Sequence, residues 1–265
     1  MMLALDVGNS DITIGLYADG EWLHVWRIPT IIELPAMYFS MRLANQFLES
    51  GIRKEDIQVV GISSVVPELT SRLEEASAGL FNLKPIVLGP EIYKKLPLVI
   101  LKPYEIGSDL VCNAMGAYTR FNKSCVVADF GTALTFTGVS SKGEIMGVSI
   151  APGLRTAIKS LSQHTAKLFD VPLEMPGSVM GKGTTHAIQA GVLIGYEGMV
   201  LHMLNKFRSE LDPDANTVAT GGLCYAIPSL KPAFDAIDPR LTLEGLRLIV
   251  EHELKVRIDP TVNSF

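Results

Sequence analysis

Three aspartates stand where apolar runs break into short polar turns: Asp6, Asp109 and Asp129. Asp6 closes Leu3-Ala4-Leu5-Asp6 and leads into Val7-Gly8-Asn9-Ser10-Asp11-Ile12-Thr13-Ile14-Gly15-Leu16. A strand, a tight turn at Gly8-Asn9 and a return strand account for this pattern. Glycine in the turn lets backbone N–H groups approach an anion, and Asn9 and Ser10 add short polar side chains. A carboxylate closing the strand suits a cation or its hydration water rather than the phosphate itself. The pattern returns at Val126-Val127-Ala128-Asp129-Phe130-Gly131-Thr132-Ala133, where Asp6 aligns with Asp129, Gly8 with Gly131, Asn9 with Thr132 and Gly15 with Gly138. One D-x-G turn says little, because hairpins use Asp and Gly widely. Two copies with four matched positions predict a duplicated fold, each half offering a phosphate-facing hairpin to a nucleotide in the cleft between them.

Asp109 lies in Gly107-Ser108-Asp109-Leu110 at the start of a helical pattern. It either complements the helix dipole or accepts a proton from a substrate hydroxyl in phosphoryl transfer, which asks mainly for positioning and charge neutralisation. Gly221-Gly222 follows a strand and is either a plain turn or a surface against which an adenine or ribose lies flat. Gly181-Lys182-Gly183-Thr184-Thr185 lacks the spacing of a Walker loop; Thr184 caps a helix there or turns its hydroxyl to a ligand. The five histidines show no metal-ligand spacing, and no G-x-S-x-G elbow is present.

The elements that must hold these residues come in two rounds. Strands at Leu3–Asp6, at the return to Gly15 and at Glu21–Ile28 precede a helical pattern over Ile32–Ser50, whose stripe is Met37, Met41, Leu43, Phe47 and Leu48. A strand over Ile57–Ile62, a loop at Ser63-Ser64-Val65-Val66-Pro67, a helix over Glu68–Leu80 and a strand at Pro85–Leu88 follow. Pro67 fits the first helical turn. An extended link, Leu96–Tyr104, leads to the helix Asp109–Phe121. The second round has strands at Cys125–Asp129, Leu134–Val139 and Glu144–Ile150, then helices at Leu154–Thr165 and Thr184–Lys206. A strand at Thr217–Ala219 and a closing helix at Leu241–Leu254 complete it. The layout predicts an α/β fold of mixed sheets covered by helices, with halves at 1–115 and 116–265.

Nearly half of the 265 residues are hydrophobic and the formal net charge is −5, with no basic block of the kind that binds nucleic acid. Cys112, Cys125 and Cys224 are scattered among apolar neighbours, which predicts buried reduced thiols. Met1-Met2 runs straight into a strand and no run approaches about 20 apolar residues, so neither a signal peptide nor a membrane span is expected. The chain reads as cytoplasmic.

Asp6-Val7-Gly8-Asn9-Ser10, Ile106-Gly107-Ser108-Asp109, Asp129-Phe130-Gly131-Thr132-Ala133, Ala151-Pro152-Gly153, Gly181-Lys182, Ala219-Thr220-Gly221-Gly222 and Leu241-Thr242-Leu243-Glu244-Gly245-Leu246 together resemble type III pantothenate kinase, in order and over essentially the whole chain. The resemblance implies duplicated ribonuclease H-like, actin-like ATPase domains. It implies a cytoplasmic homodimer that phosphorylates pantothenate with ATP, Mg2+ and a monovalent cation (K+ or NH4+), the first step of coenzyme A biosynthesis. By matching motif, Asp6, Val7, Gly8, Asn9, Ser10, Asp11, Ile12 and Thr13 hold ATP phosphates, with Thr132, Gly221 and Gly222. Asp109 is the proton acceptor. Asp129 holds the monovalent cation and Asp6 the magnesium. Tyr104, Gly107, Ser108, Asp109, Leu110 and Thr184 contact pantothenate. The chain departs from the family pattern at Leu110, where arginine is usual, and at Leu134 and Thr137. Substrate-carboxylate partners are then sought at Arg120, Lys102 or a partner subunit, with Arg155 a further candidate. The alternatives are a kinase of another small alcohol, or a nucleotide-binding regulatory paralogue without activity.

Overall fold

The computed structural model describes residues 1–259, which divide into two compact units. The first comprises Met1–Gly116 and the chain from Thr242 onward; the second is Ala117–Leu241.

In the first unit, β1 (Met2–Val7), β2 (Asp11–Ala18) and β3 (Glu21–Pro29) form an antiparallel meander. Its second turn is Asp19-Gly20, with both φ angles positive (52° and 90°), the geometry that lets two residues join right-twisted strands. After α1 (Ala36–Glu49), β4 (Val59–Ser64) lies parallel to β1. Then come α2 (Pro67–Phe81), β5 (Ile86–Val87), α3 (Pro90–Tyr93) and α4 (Ser108–Phe121). The strand order is β3-β2-β1-β4-β5. Strands β1 and β4 lie inside it and read as apolar runs because both faces are covered; β3, at the edge, alternates.

The second unit repeats the plan with β6 (Cys125–Phe130), β7 (Ala133–Val139) and β8 (Ile145–Pro152), followed by α5 (Leu154–His164), α6 (Thr184–Gln189) and α7 (Gly195–Leu211). Then come β9 (Asn216–Thr220), parallel to β6, and β10 (Ala236–Ile237); α8 (Leu241–Ile258) ends the described chain. The order β8-β7-β6-β9-β10 matches the first sheet strand for strand. Each unit has its own core, Leu3, Ile12, Ile62 and Leu69 among its members in one, Val126, Phe136, Leu193 and Leu204 in the other.

Four expectations change. Helix α1 begins only after Pro35, because a residue before proline avoids the helical region; it buries Phe39, Leu43 and Phe47, while Met37, Met41 and Leu48 are 67, 60 and 80 % exposed. The long helical pattern continues to Leu211 but relaxes into a π segment over Ala190–Ile194. By length and composition alone Thr184–Leu211 could cross a membrane. In the fold it sinks Ile188, Val192, Leu193, Val200 and Leu204 into the second core. The closing helix, expected in the second half, packs in the first unit. A Cβ on Gly245 would stand 1.8 Å from the Cys112 carbonyl oxygen, so only glycine permits α8 to lie this close on α4. Thr242 Oγ1 donates to Asn113 Oδ1 at 2.8 Å, and Lys95 Nζ donates to both oxygens of buried Glu253 at 3.1 Å. The expected second half also ran to residue 265, of which 260–265 lie outside the described residues. All three cysteines are buried, and none is joined in a disulfide among the described residues.

Candidate active site

The first loop is Gly8, Asn9 and Ser10, between β1 and β2. Gly8 N–H closes it on the Asp11 carbonyl at 3.0 Å. Thr30, just beyond β3, braces it: its hydroxyl donates to the Gly8 carbonyl at 2.7 Å and its N–H to that of Ser10 at 2.9 Å. With these carbonyls occupied, Asn9, Ser10 and Asp11 stand exposed, as an anion-binding loop requires. Val7 and Ile12 are buried core side chains, so only their backbone can serve a ligand; Thr13 is half-buried and pairs with Asp6 across the ladder.

Beneath that loop lies a buried polar chain. Asp6, at the end of β1, is the parallel partner of Ser63 on β4. Ser63 Oγ donates to Asp6 Oδ1 at 3.2 Å and lies 2.9 Å from Ser108 Oγ in the first turn of α4. Ser63 is fully buried and Ser108 is 4 % exposed, so the Ser108 hydroxyl is spent inside the protein. Asp109 follows on the same turn, half-buried, with Oδ1 accepting the Leu110 N–H at 2.8 Å. Burial pushes its carboxyl above the ordinary range, although N–H groups of its own turn pull it down. A carboxylate with a raised pKa is the better proton acceptor. Burial, with Asp6 and Asp109 nearby, drives the Cys112 thiol well up and keeps it protonated, against the pull of a hydrogen bond with Ser63. Burial likewise raises the Tyr93 phenol, with Cys112 and Asp109 adding to it. Leu110 is buried at 9 % exposure, a packing residue.

In the second unit the loop is Gly131-Thr132, one residue shorter than its counterpart. Gly131 N–H closes it on the Ala133 carbonyl at 3.1 Å. The start of α5 braces it: Thr156 Oγ1 and Gly153 N–H donate to the Thr132 carbonyl at 2.6 and 3.0 Å. A Cβ on Gly153 would lie 2.2 Å from the Gly131 carbonyl oxygen, so that turn demands glycine. The shorter loop also shifts the ladder. Gly15 pairs with Ala4, two residues before Asp6, whereas Gly138 pairs with Val126, three before Asp129. The equal sequence spacing of these glycines therefore conceals different registers. Asp129 pairs with Thr135 on one side and Thr220 on the other. Gly221 has φ +89°, and a Cβ there would stand 2.4 Å from Asp129 Oδ1. Thr220 is fully buried, yet its hydroxyl has no hydrogen-bond partner among the described residues. An orphaned oxygen beside a carboxylate on the same sheet face fits an oxygen-seeking cation. No group of three acidic, histidine or cysteine ligands that could hold a metal ion exists among the described residues; a magnesium ion at the first loop would have the Asp6 carboxylate within the first unit to meet it.

Other expected contacts fall on exposed residues. Tyr104 is 75 % exposed, its hydroxyl donating to Glu91 Oε1 at 3.4 Å. Thr184 is exposed as the first residue of α6, and Gly222 is exposed after β9. Lys102 pairs with Glu105 and Arg120 with Asp238, while Arg155 is exposed on α5 with no ion pair among the described residues. Sequence reading missed Ser63, Tyr93 and Thr220. The sequence reading places Ser63 in a loop, whereas β4 continues through Ser64.

Residues 2–206 match the family described as Type III pantothenate kinase. A type III pantothenate kinase of Myxococcus xanthus is 38 % identical over 249 residues, covering 94 % of this chain and 97 % of its own length. Among solved structures, a candidate Baf family transcriptional activator from Campylobacter jejuni superposes with a TM-score of 0.59 at 21 % identity, covering 96 % of this chain and 99 % of that one. MreB5 of Spiroplasma citri bound to ADP gives 0.54 at 10 % identity, covering 97 and 98 %. These two likenesses establish the fold, which is that of the actin-like ATPases and sugar kinases. Matched along most of its length by the family and at 38 % identity by a curated member, the chain belongs to the type III pantothenate kinases.

Proposed function

We propose that this protein transfers the γ-phosphoryl group of ATP to the primary hydroxyl of pantothenate, with Asp109 accepting the hydroxyl proton. The raised carboxyl of Asp109, on the first turn of α4, carries the reading. As the hydroxyl oxygen bonds to the γ-phosphorus, the bond from that phosphorus to the β,γ-bridging oxygen breaks and releases ADP, while the hydroxyl proton passes to that carboxylate. Gly107 and the backbone around Ser108 flank the acceptor in this reading, with Tyr104 and Thr184 as outer contacts. The Gly8–Ser10 loop carries ATP phosphates through backbone N–H groups other than that of Gly8, which closes the loop on Asp11, and Asp6 holds magnesium or its water. In the second unit, Thr132 and the Gly221-Gly222 turn take nucleotide contacts. Asp129 holds a monovalent cation, supported by the orphaned Thr220 hydroxyl. Bound magnesium and potassium neutralise phosphate charge. The same reading makes the protein a cytoplasmic homodimer that binds neither nucleic acid nor membrane; its net charge of −5 agrees.

The test is ADP release from ATP and Mg2+ with pantothenate, run in KCl and in NaCl. Turnover that requires pantothenate and rises in potassium is expected. Release driven equally by neutral hydroxylated analogues would replace pantothenate with another small alcohol. ATP binding with no release for any acceptor would leave a nucleotide-binding regulator.

A further inference from the structure

We infer that Ser63 is a positioning residue of this reaction, tying the Asp6 carboxylate to the α4 turn that carries Asp109. The inference rests on the kinase reading above and adds a residue to it. Ser63 Oγ stands at a junction, 3.2 Å from Asp6 Oδ1 and 2.9 Å from Ser108 Oγ, with the Cys112 thiol against it. A hydroxyl has one proton, and an ionised carboxylate can only accept. Ser63 therefore donates to Asp6, and Ser108 must donate to Ser63. The chain Ser108 to Ser63 to Asp6 has a fixed direction and ends on a charge.

Its ends are the two places the chemistry needs. Asp6 is two residues before the phosphate loop, and Ser108 adjoins Asp109. Only two hydrogen bonds separate them, although Asp6 and Ser63 are 57 positions apart in the chain and Ser63 and Ser108 are 45 apart. The chain is fully buried at Ser63, where low polarity strengthens charge-assisted bonds and water offers no substitute partner. Nucleotide loop and acceptor turn are thereby set against one another inside a single compact unit. Misplacing reacting groups by a fraction of an ångström is enough to cost turnover without costing binding.

The test compares Ser63→Ala, Ser63→Thr, Ser108→Ala and the Ser63→Ala/Ser108→Ala double variant in the ADP-release assay, with melting temperature and Mg2+ titration alongside. Ser63→Ala should lower kcat about ten- to a hundred-fold, with the KM for pantothenate within about two-fold and the Mg2+ requirement raised. Ser63→Thr keeps the hydroxyl and should recover most of kcat. Ser108→Ala should give the same signature, and the double variant should lose no more than the worse single one, since all break one chain. Ser108→Ala alone decides the matter should Ser63→Ala fail to fold. Wild-type kcat in both alanine variants, or Ser63→Thr as impaired as Ser63→Ala, overturns the inference. Absence of pantothenate-dependent release in the wild type overturns the kinase reading instead, and this inference with it.

Discussion

The two units share a plan down to the bracing of their loops; beyond loop length and register, they differ at one hydroxyl. In each, an aspartate closes the central strand, a glycine N–H pins the loop, and a threonine hydroxyl from a later element grips a loop carbonyl: Thr30 on Gly8, Thr156 on Thr132. In each, a hydroxyl residue lies beside the aspartate on the parallel neighbour, Ser63 next to Asp6 and Thr220 next to Asp129. Ser63 is satisfied internally, donating to its aspartate; Thr220 is buried without a partner among the described residues. A duplicated frame thus supports two electrostatic designs. One holds its carboxylate by the protein's own chain, and the other leaves an oxygen for a partner from outside.

The largest test of this asymmetry concerns the proposed base, Asp109, which lies in the first unit. Asp109→Asn should cut kcat by roughly two to four orders of magnitude. The wild-type kcat/KM should rise with pH through a pKa above the usual ~3.9 of aspartate. Stability moves the other way. The folded carboxyl binds its proton more tightly than the unfolded one, so ionisation weakens the fold at neutral pH and stability returns as pH falls through the raised pKa. Asp109→Asn should accordingly keep or raise the melting temperature at pH 7. A large drop in melting temperature would make Asp109 structural.

A second comparison sets glycine against glycine. Gly153→Ala forces a methyl against two loop carbonyls and should cost about 1–3 kcal/mol with weakened ATP binding. Gly8→Ala meets its nearest carbonyl at 3.2 Å and should cost less. Equal losses in denaturant melts would mean that the two braces are interchangeable.

The smallest effect is the most diagnostic. Thr220→Val removes an unpaired buried hydroxyl, so in sodium the protein should be as stable as the wild type or slightly more so. The potassium-dependent rise in melting temperature expected of the wild type should shrink. A clear loss of stability in sodium would show that Thr220 has a structural partner.

What was legible in the sequence was local. Turn chemistry at Gly8-Asn9 and Gly131-Thr132, apolar runs for the inner strands and Pro67 at a helix start depend on neighbours a few residues apart. The repeat of that local chemistry disclosed the duplication. Of the expected α1 stripe Leu43 and Phe47 are buried while Met37, Met41 and Leu48 are exposed, because periodicity admits several faces and only packing into the first core selects Phe39, Leu43 and Phe47. The register difference hid behind equal glycine spacing because loop length, not spacing, sets the ladder.

By itself the sequence determined two mixed sheets, two phosphate-type loops and an aspartate at a helix start. Tertiary structure alone decided that α8 returns to the first unit, that Ser108 spends its hydroxyl on Ser63, and that the Thr220 hydroxyl lies buried without a hydrogen-bond partner among the described residues. The reason is physical: burial and hydrogen-bond partners across 45 to 57 residues of chain are fixed by packing, which no local pattern encodes.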